Sequence, residues 1–402
     1  MQDNHPEKSR ILIIHNRYRQ PGGEDVVAEA QSLLLTSRGH DVRIYEKSNG
    51  EINSYSLRQK ARLFFETAHN SRMAREIERL TADFKPHAAY VHNTLPLISP
   101  SIYEPLNDAG VKVIQWLHNF RLVCPAGTLY RDNAPCSLCL EDKSFAPALE
   151  YKCWSKSRLA TAALVRLLKR QRRLKTWRKR IDLFVALNAA QKNLLVEHAG
   201  LPPEKVVVQP NFHDASILAS SRHVGVRAEF LFVGRLAPEK GIGTLLKALR
   251  MLPEFNVAIA GDGPLREAVQ RACTRPEHVW LGALSRAEVI ERMASARALV
   301  FTSEWAEGCP TVILEALSCG VPVIASSVAG AVELLKEGQT ALFFPPGDAD
   351  ALAACMRQLN DQPRLAAQMS LNAFEVFAKH FTLEAGYQNL LAIHRHLGLT
   401  AV

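Results

Sequence analysis

Arg10-Ile11-Leu12-Ile13-Ile14-His15-Asn16, then Pro21-Gly22-Gly23, then Val26, Val27, Ala30, Leu33 and Leu34, then Asp41-Val42-Arg43-Ile44-Tyr45: this succession decides the fold. The first segment is a continuous apolar run with a polar end, which reads as a short buried strand. The Pro-Gly-Gly turn breaks it. Apolar residues at helical spacing follow, with Gly39 just past the expected helix end. A second strand closes the unit. Strand, glycine-rich turn, helix and strand make a parallel βαβ unit, whose ligands bind beyond the carboxyl ends of the strands.

Working outward, Ala88–His92, Val111–Leu117 and Leu183–Leu187 read as further strands of one sheet. A second cycle starts after Asn211-Phe212-His213-Asp214. Strands are expected at Phe230–Gly234, Asn256–Ala260, Ala298–Thr302 and Val321–Ala325, with helices after Gly243 and from Leu265 to Ala272. Such alternation implies a second parallel sheet covered by helices. Residues 211–227 lapse into short polar residues and mark the boundary. The expected organisation is 1–212, 213–375, and a terminal helical segment, 376–402, that returns to the first domain. Two α/β sheets in one chain leave a cleft for a small molecule.

The bulk properties fit a globular chain of 402 residues with 47% apolar residues and a formal net charge of +9. The charge is uneven: residues 1–210 carry 32 Lys and Arg against 21 Asp and Glu, the remaining 192 carry 17 against 19. A basic half suits an anionic partner such as nucleic acid, anionic lipid or a phosphorylated acceptor. Ile11–Ile14 is too short for a secretory signal core, and no run of about 18 apolar residues occurs. A cytoplasmic chain, soluble or at most peripheral at the inner face of a membrane, is therefore expected, with its eight cysteines reduced.

Chemistry concentrates in the second half. Glu307-Gly308-Cys309-Pro310-Thr311-Val312-Ile313-Leu314-Glu315 sets one carboxylate in a Gly/Pro turn and another two turns into a helix. Free amides at the helix start suit phosphate, Glu315 suits ribose hydroxyls, and Glu307 suits hydroxyls of a sugar. The spacing alone fits equally a helix end with two solvated acids. Phe232-Val233-Gly234-Arg235-Leu236-Ala237-Pro238-Glu239-Lys240-Gly241 places two cations just after a strand, where Arg235 as a fork and Lys240 as a point charge suit a pyrophosphate.

Both patterns, in this order, resemble glycosyltransferase family 4, as do Gly22-Gly23-Glu24, Gly261-Asp262-Gly263-Pro264 and Pro345-Pro346-Gly347-Asp348. The resemblance implies the GT-B fold, α/β, with two Rossmann-like domains facing each other across a cleft. It implies a retaining enzyme that moves a hexose-type sugar from a UDP- or GDP-linked donor to a saccharide or lipid-linked acceptor, as in cell-surface polysaccharide assembly. Gly22 and Gly23 would let backbone approach the sugar-phosphate, together with Gly234 and Gly263. Arg235 and Lys240 would neutralise the leaving diphosphate. Glu307, with Gly308, Cys309, Pro310 and Thr311, would hold the donor sugar and phosphate, and Glu315 the ribose. His118, after a first-domain strand in Trp116-Leu117-His118-Asn119-Phe120, matches the family's cleft histidine. Catalysis would need no cofactor. A nucleotide-sugar epimerase, a phosphorylase or a non-catalytic nucleotide-sugar-binding protein on the same fold are the rival readings, although no phosphorylase cofactor lysine is identifiable.

Two features stand outside this machinery. Cys124, Cys136, Cys139 and Cys153 are spaced C-x11-C-x2-C-x13-C, which fits a structural zinc, plain thiols, an iron–sulfur cluster or a disulfide. Lys156–Arg180 carries eleven basic residues and no acid, with Leu159, Ala163, Arg166, Leu167, Arg170 and Leu174 outlining a helix and Trp177 near its end. Its Leu and Trp could dip into an anionic membrane surface. A solvated helix face is the alternative, and nucleic acid is not expected because no reader-domain signature accompanies the charge.

Overall fold

The structure, a computed structural model, describes residues 9–19, 22–215 and 229–399. Pro21 and most of the expected boundary stretch lie outside the described residues. The chain divides into two compact units: Met1–Leu129, Ser137–Pro210 and Tyr387–Val402 form the first, and Tyr130–Cys136 with Asn211–Gly386 form the second.

In the first unit β1 (Arg10–Arg17), β2 (Asp41–Ser48), β3 (Ala88–Asn93) and β4 (Lys112–Leu117) precede the small antiparallel hairpin β5 (Tyr130–Arg131) and β6 (Ala134–Pro135), which is grouped with the second unit. β7 (Leu183–Ala186) and β8 (Val206–Val208) complete a six-stranded parallel sheet in the order β2-β1-β3-β4-β7-β8. Ile11 to Ile14 and Ala88 to Val91 are fully buried. Both faces of these strands are therefore covered, as the unbroken apolar runs require. Each buried Ile, Leu or Val among them contributes roughly 1.5–3 kcal/mol.

The chain runs from β1 outward to β2, then returns to β3 on the other side of β1. That reversal opens a crevice at the carboxyl ends of β1 and β3. The helix Gly23–Ser37 fills the first crossover, burying Val27, Ala28, Leu34 and Leu35, whereas Leu33 is 66% exposed. The expected apolar stripe is thus rotated by one position toward Ala28 and Leu35.

The second unit repeats the plan with β9 (Glu229–Val233), β10 (Val257–Ala260), β11 (His278–Gly282), β12 (Ala296–Phe301), β13 (Val323–Ser326) and β14 (Ala341–Phe344), all parallel in the order β11-β10-β9-β12-β13-β14. Its reversal falls between β9 and β12. Sequence reading passed over β8, β11 and β14, which are outermost or short. β8 (Val206-Val207-Val208) and β14 (Ala341-Leu342-Phe343-Phe344) are apolar but only three and four residues long, too short for the run to identify a strand, and most of β11 is half-buried or exposed.

The helix Leu383–His396 ends the described chain, and its residues from Tyr387 onward group with the first unit. There the Tyr90 hydroxyl and His394 Nε2 share a hydrogen bond of 2.6 Å, and His40 Nε2 meets the Tyr387 hydroxyl at 3.0 Å. The Ser9 amide donates to His40 Nδ1, which leaves Nε2–H as the donor to Tyr387.

Candidate active site

At the second unit's reversal, the turn after β9 and the loop after β12 are laced together through backbone. The Glu304 amide donates to the Glu239 carbonyl, and Thr302 Oγ1 donates to the Lys240 carbonyl at 2.7 Å. Gly241 is at φ +69°, and a Cβ there would lie 1.8 Å from the Thr302 carbonyl oxygen. Only glycine permits this approach. On the far side of the same loop, a Cβ on Gly330 would lie 2.6 Å from the Glu307 carbonyl oxygen.

The result is a buried carboxylate with three donors on one oxygen. Glu307 Oε1 accepts from Lys240 Nζ at 2.5 Å, Ser303 Oγ at 2.8 Å and Trp305 Nε1 at 2.6 Å. Lys240 also sits 5.1 Å from the centre of the Trp305 ring. Sequence reading gave Glu307 and Lys240 separate tasks on one ligand. The structure pairs them, so the cation is aimed by the acid. Arg235 lies one turn away and pairs with Glu239, its side chain 53% exposed. Glu304 accepts from Thr244 Oγ1 at 2.6 Å and from the Tyr130 hydroxyl at 3.1 Å, and so ties down the hairpin β5–β6.

The neighbouring turn is fixed by similar means. The Gly234 amide donates to the Ala260 carbonyl, the Leu236 amide to the Asp262 carbonyl, and Gly263 packs so closely that a Cβ would lie 2.6 Å from the Leu236 carbonyl oxygen. Gly308 and Cys309 lead into the helix Thr311–Ser318, whose start, at Pro310, carries no side-chain cap. Cys309 is buried, its thiol pushed up to about 12 by burial, and Asn211 brackets its backbone. Glu315 sits in the second turn of this helix. Burial pushes its carboxyl up and Arg286 opposes the rise.

The first unit's reversal carries a second polar group. His15 ends the apolar run of β1, His92 ends that of β3, and His118 follows β4 directly. His15 Nε2 donates to Asp25 Oδ1 at 2.8 Å, and Asp25 Oδ2 accepts from the Gly22 amide at 2.7 Å. These bonds outweigh burial and hold the Asp25 carboxyl below the usual carboxylate range. His118 Nε2 and His92 Nδ1 lie 2.8 Å apart, and His92 stacks on Trp116. Burial lowers both histidines, His92 strongly. Beside them Glu24 accepts from Tyr18 and Asn119. A Cβ on Gly23 would meet nothing within 4 Å, so packing does not explain that glycine.

Sequence reading named Gly22, Gly23 and His118 in this group and missed His15, Asp25 and His92. Their signal was present: each histidine is the first polar residue past a buried run, where an α/β sheet presents ligand groups. Ser303, Trp305, Glu304 and Arg286 gave no such signal, being ordinary loop or helix residues in sequence.

Among the described residues no three His, Cys, Asp or Glu side chains are grouped to hold a metal ion. Among the described residues Cys124, Cys136, Cys139 and Cys153 form no disulfide. Cys139 instead packs against the apolar cluster of Phe145, Leu164 and Leu168. A small apolar body in a core is the commoner use of a reduced thiol.

Two Rossmann-type units with their polar residues at the reversals define the GT-B class, and comparison with known proteins agrees. The description "Glycosyltransferase Family 4" matches residues 21–217 and "Glycosyl transferases group 1" matches residues 216–376. The chain belongs to the family-4 type of glycosyltransferases. It is 29% identical over 221 residues to the alpha-D-kanosaminyltransferase of Streptomyces kanamyceticus, covering 50% of this chain and 57% of that one. It is 33% identical over 175 residues to the GDP-mannose-dependent alpha-(1-6)-phosphatidylinositol monomannoside mannosyltransferase of Mycolicibacterium smegmatis, covering 40% and 44%. The match thus spans about half the length of these relatives. Among solved structures, Anabaena Alr3699/HepE in complex with UDP superposes with a TM-score of 0.64 at 19% identity, over 96% of this chain and 100% of that one.

Proposed function

We propose that the protein transfers a hexose-type sugar from a UDP- or GDP-linked donor, with retention, to a saccharide or lipid-linked saccharide. The observation that carries this reading is the buried Glu307–Lys240 pair beside Arg235 at the reversal of the second sheet. A nucleotide sugar is supported by relatives and neighbours whose names specify GDP-mannose or UDP. The bond between the anomeric carbon and the phosphate oxygen breaks, the acceptor oxygen bonds to the same face, and the leaving phosphate takes the acceptor's proton. Lys240 and Arg235 stabilise the charge that grows on the diphosphate, Glu307 holds the sugar hydroxyls, and Glu315 the ribose. Proton NMR of the product tests this. An anomeric configuration equal to the donor's is expected; inversion, or conversion of donor without any acceptor, would overturn it.

The acceptor is met at an anionic membrane surface, and here the sequence reading needs correction. Trp177 is only 7% exposed and packs edge-on against Tyr103, while Ala163 and Leu167 are in the core, so these side chains do not face lipid. The helix Arg158–Leu174 instead exposes Arg158, Arg166, Lys169 and Arg173 around Leu159, which is 75% exposed. Beside it the helix Leu57–Glu66 buries no residue, exposes Leu57 at 85% and Phe65 at 59%, and adds Arg58, Lys60 and Arg62. Arg166 joins the two by donating to the Phe65 carbonyl. Exposed leucine and phenylalanine ringed by cations suit anionic lipid. Co-sedimentation with phosphatidylglycerol vesicles is expected and should be lost on Leu57→Ser with Phe65→Ser; equal binding to neutral vesicles would refute the docking surface. Among the described residues no helix is long and apolar enough to cross a membrane.

A further inference from the structure

The three histidines of the first unit differ in which nitrogen has a partner, and that difference fixes their protons. Asp25 accepts from the Gly22 amide and from His15, so the His15 proton lies on Nε2 and its Nδ1, buried and unpartnered, is a bare lone pair. His92 is 4% exposed, with Nδ1 on His118 and with Nε2 buried and unpartnered. The His15 ring stands perpendicular to it at 6.0 Å, and no hydrogen bond joins them.

A neutral imidazole has one N–H, so two arrangements of the 2.8 Å bond are open. If His118 donated, the proton of His92 would sit on Nε2 as a buried donor without an acceptor. If His92 donates, Nε2 is left as an unpaired acceptor. Orphaned buried N–H groups are the rarer and costlier of the two. His92 lies nearly coplanar with His118, the ring centres 5.1 Å apart along this hydrogen bond, and packs against Trp116 with ring centres 5.2 Å apart.

We infer that His92 is a positioning residue that donates from Nδ1 to His118 Nε2, and so holds His118 as an Nδ1–H donor rather than a base. The inference rests on the transferase reading for its purpose, since it gives His118 the work of donating to a substrate oxygen. It agrees with a reaction in which the leaving phosphate, and no protein group, takes the acceptor's proton. The Nε2 lone pair that a base would need is occupied.

Long-range nitrogen–proton NMR of the full-length protein, labelled with nitrogen-15, reads the tautomer directly, with His118→Gln used to assign the signals. His118 is expected to be protonated on Nδ1. In His92→Phe it should revert to the Nε2–H form and turnover should fall about tenfold or more, whereas His92→Asn, whose amide can donate, should stay within about threefold. An Nε2–H signal for His118 in the unmodified protein overturns the inference, as does an unchanged tautomer in His92→Phe. The spectrum does not depend on turnover, so an Nδ1–H signal in a protein without transferase activity would sink the function and leave the His92 assignment standing.

Discussion

Arg235 and Lys240, read from sequence as equivalent cations, differ in what the protein asks of them. Arg235 is half exposed and pairs directly with Glu239. Arg235→Ala should change stability by less than about 1 kcal/mol while lowering turnover about a hundredfold. Lys240 neutralises a buried carboxylate. Lys240→Ala should lower turnover similarly and also cost about 1–3 kcal/mol, because Glu307 keeps its two neutral donors but loses the charged one. Urea denaturation with initial-rate assays separates the two effects. Equal stability of the two variants would contradict this placement of Lys240.

At the scale of elements, helix starts and helix ends are asked to do different work. Gly23 is the first residue of its helix and has open space where a side chain would project. Gly23→Ala should leave the melting temperature unchanged or slightly raised, yet weaken the donor by blocking backbone approach; an unchanged KM for donor would remove the reason given for this glycine. The helix Leu383–His396 is anchored by His394, whose pKa burial depresses to about 4. Unfolded, this histidine protonates near 6.5. Its contribution is therefore complete above pH 6.5 and is lost progressively as the pH falls toward 4, by roughly 3 kcal/mol if nothing relaxes. The acid slope of stability over that window should flatten in His394→Gln; an unaltered slope would assign acid sensitivity elsewhere. These elements also mark what sequence could tell. Ile11–Ile14 announced a central strand because both its faces are covered. The helix Leu57–Glu66 announced nothing, because a surface element has no core to impose a period. The cysteine spacing left zinc, plain thiols, an iron–sulfur cluster and a disulfide open, because spacing along a chain does not say which thiols meet in space.

For the whole molecule, two sheets of the same plan carry chemically distinct reversals. The first gathers histidines and Asp25; the second gathers cations around one acid. The two parallel α/β sheets were legible from alternating apolar runs, and with them the expectation that ligand groups lie beyond the carboxyl ends of strands; the strand order and its reversals were not. The Lys240–Glu307 pairing and the His92–His118 bond were not, since both depend on side chains brought together across strands far apart in sequence. The charge asymmetry was legible, but its use was not, because exposure of Leu57, Phe65 and Leu159 is a property of packing.

The central claim is that Glu307, Lys240 and Arg235 jointly hold one activated sugar. Thermal unfolding of the full chain against a panel of UDP- and GDP-sugars tests it most directly. At a donor concentration about a hundredfold above Kd, one nucleotide class should stabilise the protein by about 2.7 kcal/mol, with the gain abolished in Glu307→Gln and Lys240→Ala. A protein that none of these donors stabilises, or one whose stabilisation survives both substitutions, would contradict it.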